Sequence, residues 1–152
     1  MTGKVVTEQM CIRDRCSIAV EFKTGDSLVA RARNSLTSDF LKTECTHLLF
    51  IDSDLVFSAE QIGRLLAHGK EVIGGFYPKK MEGLVQWVCN GMDGKPTPGP
   101  DGLQELRYIG TGFLLVRRDV FERVIAEYGE EIAYHPEHSP KSVEYDLWPV
   151  GT

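Results

Sequence analysis

The stretch "HLLFIDSDLVFSAEQI", residues 47–62, decides the fold because it carries an apolar run straight into two aspartates separated by one serine. The run has the length of a buried strand, and Ser58 followed three residues later by Gln61 matches a capping box at the start of a helix. Apolar residues recur beyond the box at helical spacing. The stretch therefore predicts a buried strand, a polar connection and an amphipathic helix.

The same alternation continues on both sides. Residues 25–42 ("GDSLVARARNSLTSDFLK") predict a helix capped by their Asp or Ser, and residues 71–77 ("EVIGGFY") predict a second buried strand. Residues 106–118 ("LRYIGTGFLLVRR") predict a strand interrupted by glycines, followed by a helix that Asp119 caps. Strands and helices thus alternate along most of the chain.

A strand, a helix and a strand joined by short connections make a βαβ unit, which implies parallel strands covered by helices. We therefore expect an α/β protein with a mostly parallel, Rossmann-like sheet flanked by helices, forming a single domain over residues 1–152. Residues 1–16 have no periodicity and are expected to be non-native, while residues 129–152 predict an irregular tail. The domain is expected to be incomplete at both ends.

Composition and charge exclude two classes of partner. Hydrophobic residues make up 42% of the chain and charged residues 26%, as in an ordinary globular domain. A net charge of −5 offers no basic field to a phosphate backbone, so no nucleic-acid binding is expected. The longest apolar run is far shorter than the ~20 residues of a membrane helix, and no charged segment leads into an apolar one as in a signal peptide. We expect a cytoplasmic protein without a membrane span.

Asp52 and Asp54 have two structural explanations besides chemistry: a cap for the next helix, or a solvated turn. Capping is disfavoured because Ser58 and Gln61 already fill that role. If strand geometry persists through Ser53, both carboxylates face one space with Cα atoms ~6.6 Å apart. They would do so at a strand end, where α/β proteins bind ligands. A divalent cation would relieve the repulsion between them.

The donor atoms indicate which cation. Carboxylate oxygens favour Mg²⁺ or Mn²⁺, whose remaining positions are commonly filled by waters and phosphate oxygens. The four cysteines have no zinc or redox spacing that would suggest another metal. The aspartate pair therefore predicts a diphosphate-bearing substrate, although a D-x-D motif alone is unspecific.

A longer pattern resembles a known family. Residues 48–66 ("LLFIDSDLVFSAEQIGRLL"), together with "SLVARARNSL", "VIGGFYPKK" and "YIGTGFLLVRRDVFERV", resemble glycosyltransferases of the A-type (GT-A) fold, in particular a group found in phage and bacterial genomes. The likeness runs over about residues 26–128. It implies metal-dependent transfer of a sugar from a nucleoside-diphosphate sugar to an acceptor hydroxyl, with Mn²⁺ or Mg²⁺ as cofactor. Donor, acceptor and stereochemistry stay open.

The resemblance also assigns roles to residues. Asp54 matches the carboxylate that binds the metal directly, and Asp52 matches the one that contacts the ribose or a metal-bound water. Arg31, Arg33 and Asn34 match a segment that lies beside the nucleotide, where a guanidinium would suit the diphosphate through its planar donor fork. Residues two apart on a helix face different ways, so at most one arginine is expected to reach the ligand. A solvated helix face is the alternative for both.

Two more segments complete the expected substrate site. Lys79 follows a strand end near the expected metal, where an ammonium would offset phosphate charge; a solvated loop lysine is the alternative. Gly110, Thr111 and Gly112 interrupt a strand, where glycine weakens packing unless a backbone or a ligand approaches closely. In the family such a segment lies under the donor sugar and the acceptor. Trp148 is expected to pack in a core rather than to stack on a sugar.

The catalytic base is not identified within the chain. The family places a carboxylate base in a Ser-Glu-Asp segment and a metal-binding histidine downstream of an aromatic-acidic stretch like residues 143–152. We expect both beyond Thr152, with Asp146 and Glu144 as weaker candidates for the base. The chain by itself is then expected to be a weak or inactive transferase.

Two other functions stay open. "DSDLV" also matches the D-x-D-x-[TV] nucleophile motif of haloacid-dehalogenase-type phosphatases, in which Asp52 would attack phosphorus and Asp54 would act as acid and base. Such enzymes need a later acidic pair at a strand end to hold Mg²⁺, and no convincing one follows in the sequence. The other alternative is a non-catalytic domain that binds a nucleotide or has only a structural role.

Overall fold

The computed structural model describes residues 10–11, 17–23, 26, 28–78, 89–91, 98–137 and 139–149. In chain order its elements are β1 (Met10–Cys11), β2 (Ser17–Ile18), α1 (Val29–Leu41), β3 (His47–Ile51), α2 (Ala59–Ala67), β4 (Val72–Gly74), β5 (Cys89–Gly91), β6 (Leu106–Ile109), β7 (Phe113–Arg117), α3 (Arg118–Ile132), β8 (Ala133–Tyr134) and β9 (Glu144–Tyr145). The chain divides into a central unit, residues 47–117, and a terminal unit, residues 1–46 and 118–152.

The central unit is built around β7. This strand pairs with β3 on one side and β4 on the other, and both pairings are antiparallel. Leu114, Leu115 and Val116 are each only 3% exposed, so both faces of β7 are buried. A run of apolar residues without alternation is what a strand covered on both faces requires. The sequence predicted that β3 is a buried strand; among the described strands β3 lies at an edge of this sheet, and only Phe50 of its residues is buried.

Helix α2 covers one face of the sheet. Its cap forms as predicted: the Ser58 side chain accepts a hydrogen bond from the Gln61 backbone, and the Gln61 side chain accepts one from the Ser58 backbone. The helix ends before Gly69, whose φ of +60° suits a residue without Cβ. Alternate strand residues meet the apolar face of α2 in a cluster formed by Leu65, Ile73, Phe113 and Leu115.

The α/β class is confirmed, but the order of strands differs from the prediction. All strand pairings among the described residues are antiparallel, so a mostly parallel sheet is not what these residues form. β3 and β4, the two strands of the predicted βαβ unit, do run in the same direction, because each is antiparallel to β7. The unit is therefore present with a later strand inserted between its two strands.

The terminal unit combines α1, α3 and the β8–β9 pair. Phe121 of α3 packs edge-on against Phe40 of α1 and also contacts the ring of the half-buried Trp148, so this tryptophan packs against another aromatic residue of its own chain. Arg118 closes the end of α1: its guanidinium donates to the carbonyls of Phe40 and Cys45, among others, and lies over the Phe40 ring at 4.6 Å. The last carbonyls of a helix have no backbone partner within the helix. Here a side chain that is distant in sequence donates hydrogen bonds to them.

Three local predictions for this unit need correction. Leu28, not Asp26, is the N-cap of α1, although the Asp26 carboxylate accepts a hydrogen bond from the Leu28 backbone at 3.0 Å. Asp119 lies inside the first turn of α3, because the helix already begins at Arg118. The predicted irregular tail carries regular structure, since α3 continues to Ile132 and is followed by β8 and β9.

Within the described ranges, no helix is both long enough and apolar enough to cross a bilayer.

Candidate functional site

The two aspartates lie on a turn at the end of β3. The Leu55 backbone N–H donates to the Asp52 carbonyl at 3.1 Å, which closes a four-residue turn over residues 52–55. The strand geometry that would have aimed both carboxylates the same way therefore stops at Ile51. Asp52, Ser53 and Asp54 are all exposed. The solvated-turn geometry is thus the one adopted, and it leaves two carboxylates accessible at a strand end.

Gly112, just before β7, connects this turn to the segment after β4. Its carbonyl accepts a hydrogen bond from the Asp52 N–H at 2.8 Å, and its own N–H donates to the Tyr77 hydroxyl oxygen at 3.0 Å. Gly112 is buried and Tyr77 is half-buried. The ends of β3 and β4 are therefore joined to the start of β7 by two hydrogen bonds on one residue.

The missing side chain of Gly112 is essential to this arrangement. A Cβ at this position would lie 2.6 Å from Oδ2 of Asp52 and 2.7 Å from the hydroxyl oxygen of Tyr77. Real carbon atoms do not approach oxygens that closely, so any larger residue would displace one group or both. The sequence predicted a close approach at the Gly-Thr-Gly break, and the approaching groups are Asp52 and Tyr77.

Tyr77 was not predicted as a site residue. It was the last residue of the stretch 71–77 that was predicted to be a buried strand, and its ring packs against the apolar cluster. The sequence did offer one clue to a role for Tyr77. Its hydroxyl is a polar group at the end of a predicted strand, and the ends of other predicted strands carry the Asp pair and the Gly-x-Gly break. Gly110 and Thr111 lie half-buried in the same loop as Gly112. Lys79 lies outside the described residues.

The donor set fits a hard divalent cation. Asp52 and Asp54 offer oxygen ligands only, and Mg²⁺ commonly uses one or two carboxylates and completes its shell with water and phosphate oxygens. The described residues contain no group of three or more His, Cys, Asp or Glu residues that could enclose an ion. A closed site of the structural zinc type is therefore not formed by these residues.

The arginines of α1 lie in the terminal unit and have partners there. The Arg31 guanidinium binds both carboxylate oxygens of Asp26, with its shortest contact at 2.7 Å, and this hydrogen bonding lowers the pKa of Asp26. Arg33 lies over the Trp148 ring at 5.9 Å from its centroid. As expected from their spacing, the two side chains point different ways, since Arg31 is exposed and Arg33 is half-buried.

Asn34 has a structural role that the sequence did not reveal. It is only 5% exposed, and its amide oxygen accepts hydrogen bonds from the backbone N–H groups of Leu147 and Trp148, both at 3.0 Å. Its amide nitrogen donates to Oδ1 of Asp146 at 2.7 Å. Both lone pairs of the oxygen are therefore used within the chain. Asn34 holds the segment after β9 against α1, and its predicted contact with a nucleotide stays a prediction.

The two weaker candidates for the base differ in their surroundings. Asp146 is exposed, with one carboxylate oxygen oriented by Asn34. Glu144 is buried, and its carboxylate accepts a hydrogen bond from the Tyr134 hydroxyl at 2.8 Å. Burial, followed by the bond to Glu144, raises the pKa of Tyr134. Of the two carboxylates, Asp146 is the more accessible to a substrate.

A shallow depression of about 480 Å³ lies beside Asp146 in the terminal unit. It is lined by α1, the end of α3 and β8, and its wall includes Arg31 and Tyr134. The predicted site residues therefore fall into two groups, each described within its own unit. Asp52, Asp54, Gly110, Thr111 and Gly112 belong to the central unit, and Arg31, Arg33, Asn34, Glu144 and Asp146 belong to the terminal unit.

Comparison with known proteins gave no matching family model, no matching curated protein and no matching solved structure.

Proposed function

We propose that the chain carries the donor-binding part of a metal-dependent glycosyltransferase, which transfers a sugar from a nucleoside-diphosphate sugar to an acceptor hydroxyl. The observation that carries this proposal is the turn at residues 52–55, where two exposed carboxylates follow a strand end beside the bare Cα of Gly112. Strand ends are where α/β sheets bind their ligands. The combination supports a site for a divalent cation with a diphosphate.

The finer fold assignment is part of the same proposal. A GT-A-like sheet of Rossmann type would contain β3 and β4 as parallel members, with β7 as an antiparallel strand between them. The common direction of β3 and β4 supports this assignment, as does α2 in the connection between them.

In the proposed reaction the acceptor hydroxyl attacks the anomeric carbon, and the nucleoside diphosphate leaves. Asp54 and Asp52 would hold Mn²⁺ or Mg²⁺, which when bound offsets the negative charge that builds on the departing diphosphate. The backbone bond from Asp52 to Gly112 fixes where the turn begins and so restricts the Asp52 carboxylate. An inverting reaction needs a carboxylate base near the acceptor. Asp146 and Glu144 differ only in accessibility, since Asp146 is exposed and the Glu144 carboxylate is buried against Tyr134.

The proposal is tested by nucleotide-dependent stabilisation. UDP and GDP are added with and without Mn²⁺, and thermal unfolding is recorded. A ligand at a hundredfold excess over Kd stabilises the folded state by about 2.7 kcal/mol, which is a readily measured shift in Tm. We expect that shift with one of the nucleotides and Mn²⁺, and we expect Asp54→Ala to abolish it.

Glu105→Ala is the matched control, because Glu105 is an exposed carboxylate of the same unit. It should leave the ligand-induced shift unchanged. A folded wild-type chain that responds to neither nucleotide would contradict the proposal. Release of phosphate from p-nitrophenyl phosphate that is lost in Asp52→Ala would favour the phosphatase instead.

A further inference from the structure

We infer that Tyr77 is a positioning residue for the proposed metal site, because its hydroxyl holds Gly112 and the backbone of Gly112 in turn holds the aspartate turn, residues 52–55. Without the hydroxyl, the turn should bind a divalent cation less tightly. The inference rests on the proposed function and deepens it, since it names a side chain that controls the metal site without contacting the metal.

Two hydrogen bonds on Gly112 connect Tyr77 to the turn. The Gly112 N–H donates to the Tyr77 hydroxyl oxygen at 3.0 Å, and the Gly112 carbonyl accepts from the Asp52 N–H at 2.8 Å. The two groups flank one Cα atom, and glycine restrains its own backbone less than any other residue does. The direction of the Gly112 carbonyl therefore depends on the groups that hold this segment, and Tyr77 holds its N–H.

Burial makes this dependence strong. Gly112 is buried, so water does not readily replace the Tyr77 hydroxyl as the acceptor for its N–H. A buried N–H without an acceptor carries a desolvation cost, which the backbone reduces by turning toward another acceptor or toward solvent. β7 begins at Phe113 and is paired on both sides, so the strand resists such a movement. The movement is then confined to Gly112 and the residues just before it.

The aspartate turn follows Gly112 when that residue moves. Its contacts with the rest of the central unit include the bond from Asp52 to Gly112 at one end and the packing of Leu55 against the apolar cluster at the other. A shift of the Gly112 carbonyl therefore moves the end that carries Asp52. Mg²⁺ demands near-ideal octahedral geometry and takes only one or two carboxylates from the protein. A small displacement of one carboxylate is then enough to weaken binding.

The ring of Tyr77 sets the position of its hydroxyl. The ring packs against the apolar cluster beneath α2, so the oxygen is held from the core of the central unit. A phenylalanine would fill the same space, and Tyr77→Phe therefore removes the hydroxyl while it keeps the packing. Tyr108→Phe is the matched control, because Tyr108 belongs to the same unit and is 63% exposed.

The link from Tyr77 to the turn is tested by NMR of the chain without ligand. The chemical shift of an amide proton reports its hydrogen bond in the folded state and does not depend on global stability. We expect the Asp52 amide proton to move upfield in Tyr77→Phe, because its bond to the Gly112 carbonyl lengthens. The Val116 amide proton, in the part of β7 that pairs with both neighbouring strands, should not move. Tyr108→Phe should leave both resonances in place.

The link from the turn to the metal is tested by binding of Mn²⁺ alone. The dissociation constant is measured from the decrease of the EPR signal of the free aqueous ion. We expect Tyr77→Phe to raise Kd by roughly tenfold, as the loss of one hydrogen bond allows, and Tyr108→Phe to leave it unchanged. If the hydroxyl only stabilised the fold, its removal would not change the Mn²⁺ affinity of the folded chain.

A second variant tests the geometry with the hydroxyl still present. Gly112→Ala places a methyl group 2.7 Å from the Tyr77 hydroxyl oxygen and 2.6 Å from Oδ2 of Asp52, and the backbone there has no positive φ that alanine would strain. We expect it to weaken Mn²⁺ binding at least as much as Tyr77→Phe does. In the double variant the two losses should not add, because both act through the position of Gly112. Gly63→Ala is the control, since a Cβ there meets no atom within 4 Å.

The outcomes separate this inference from the proposed function. If the wild-type chain binds Mn²⁺ and Tyr77→Phe binds it equally well, the positioning role of Tyr77 is refuted and the proposed function stands. An Asp52 resonance that does not move, or losses that add in the double variant, also refute that role. A wild-type chain that binds no Mn²⁺ refutes the inference as well, and nucleotide-dependent stabilisation then decides the proposed function separately.

Discussion

Two polar clusters of this protein contain residues that the sequence had assigned to one substrate site, and they are built in opposite ways. Around Asn34 in the terminal unit, the polar groups are buried and bind one another. Around Asp52 and Asp54 in the central unit, the carboxylates are exposed on a short turn. A buried amide whose oxygen is saturated by backbone groups stabilises a fold, whereas the exposed carboxylates lie where solvent can reach them.

The two clusters differ in what happens to the hydrogen-bond partners when a side chain is deleted. Deleting a buried hydrogen-bonding group leaves its partners without water to replace it, which costs the full desolvation of each partner. Deleting an exposed carboxylate leaves partners that water can reach. The stability of the fold should therefore depend on the Asn34 cluster, and the binding of a ligand should depend on the aspartate turn.

The largest effect is expected from Asn34→Ala. It leaves the N–H groups of Leu147 and Trp148 and the Asp146 carboxylate without this partner, so we expect the free energy of unfolding to fall by about 3 kcal/mol. Urea unfolding followed by circular dichroism measures the loss. Asp39→Ala, at a half-buried position on the same helix whose partner is the exposed Lys42, should cost less than about 1 kcal/mol. Similar losses of unfolding free energy in the two variants would show that burial of the Asn34 cluster does not make it more important for stability.

A smaller and pH-dependent loss is expected from Tyr134→Phe. The buried Glu144 carboxylate loses its donor, which should cost about 2 kcal/mol at pH 8. Because folding raises the pKa of Tyr134 above its ordinary value of 10.0, the protonated tyrosine stabilises the folded state below that pH. This stabilisation is lost as the pH rises through the folded-state value.

The measurement for Tyr134→Phe is urea unfolding of both chains at pH 8 and pH 11. We expect the difference between wild type and variant to shrink at pH 11, where an unfolded tyrosine ionises. The nearby charges of Glu144, Asp146 and Arg31 are the same in both chains. A difference that stays constant with pH would show that folding does not raise the pKa of Tyr134.

An intermediate effect of about 1.5 kcal/mol is expected from Thr37→Val. Thr37 is fully buried, and its hydroxyl oxygen accepts the indole N–H of Trp148 at 2.9 Å while its proton goes to the Arg33 carbonyl. Valine keeps the shape and removes both bonds. Unfolding followed by tryptophan fluorescence measures the loss, and Thr43→Val, at an exposed position, serves as a comparison. Equal stability of wild type and Thr37→Val would show that the hydrogen bonds of the Thr37 hydroxyl do not stabilise the terminal unit.

The smallest effect on stability is expected at the turn. Asp54→Asn, without ligand, should change the free energy of unfolding by less than about 0.5 kcal/mol, because Asp54 is exposed and surface substitutions rarely cost more. The same denaturation experiment checks it. A loss as large as that of Asn34→Ala would mean that the turn, too, is chiefly structural.

The features that the sequence predicted correctly depend on contacts between residues a few positions apart in the chain. The capping box at Ser58 and Gln61 and the strand break before Phe113 formed as expected, because each depends on groups a few positions apart. The strand order was not predictable in the same way, since an apolar run indicates burial but does not identify the neighbouring strand. β7 enters between β3 and β4 although it follows both in the chain.

The site was harder to predict because its contacts are distant in sequence. The Tyr77 hydroxyl meets a backbone group 35 positions away, and the Asn34 amide meets groups 112 to 114 positions away. Residue type indicated that Asp52, Asp54 and Gly112 were unusual. It did not indicate that Asn34 also binds backbone groups of Leu147 and Trp148 in its own chain.

The bond from Arg118 to the Cys45 carbonyl, 73 positions earlier, has a consequence for biosynthesis. A ribosome releases α1 long before it releases the guanidinium that closes the end of that helix, and the whole central unit is translated in between. Pairing of β3 with β7 then brings Arg118 to Thr46, whose carbonyl accepts the Arg118 backbone N–H at 2.9 Å. We therefore expect nascent chains that end before residue 118 to leave α1 sensitive to protease, even where the segment that follows it has already begun to fold.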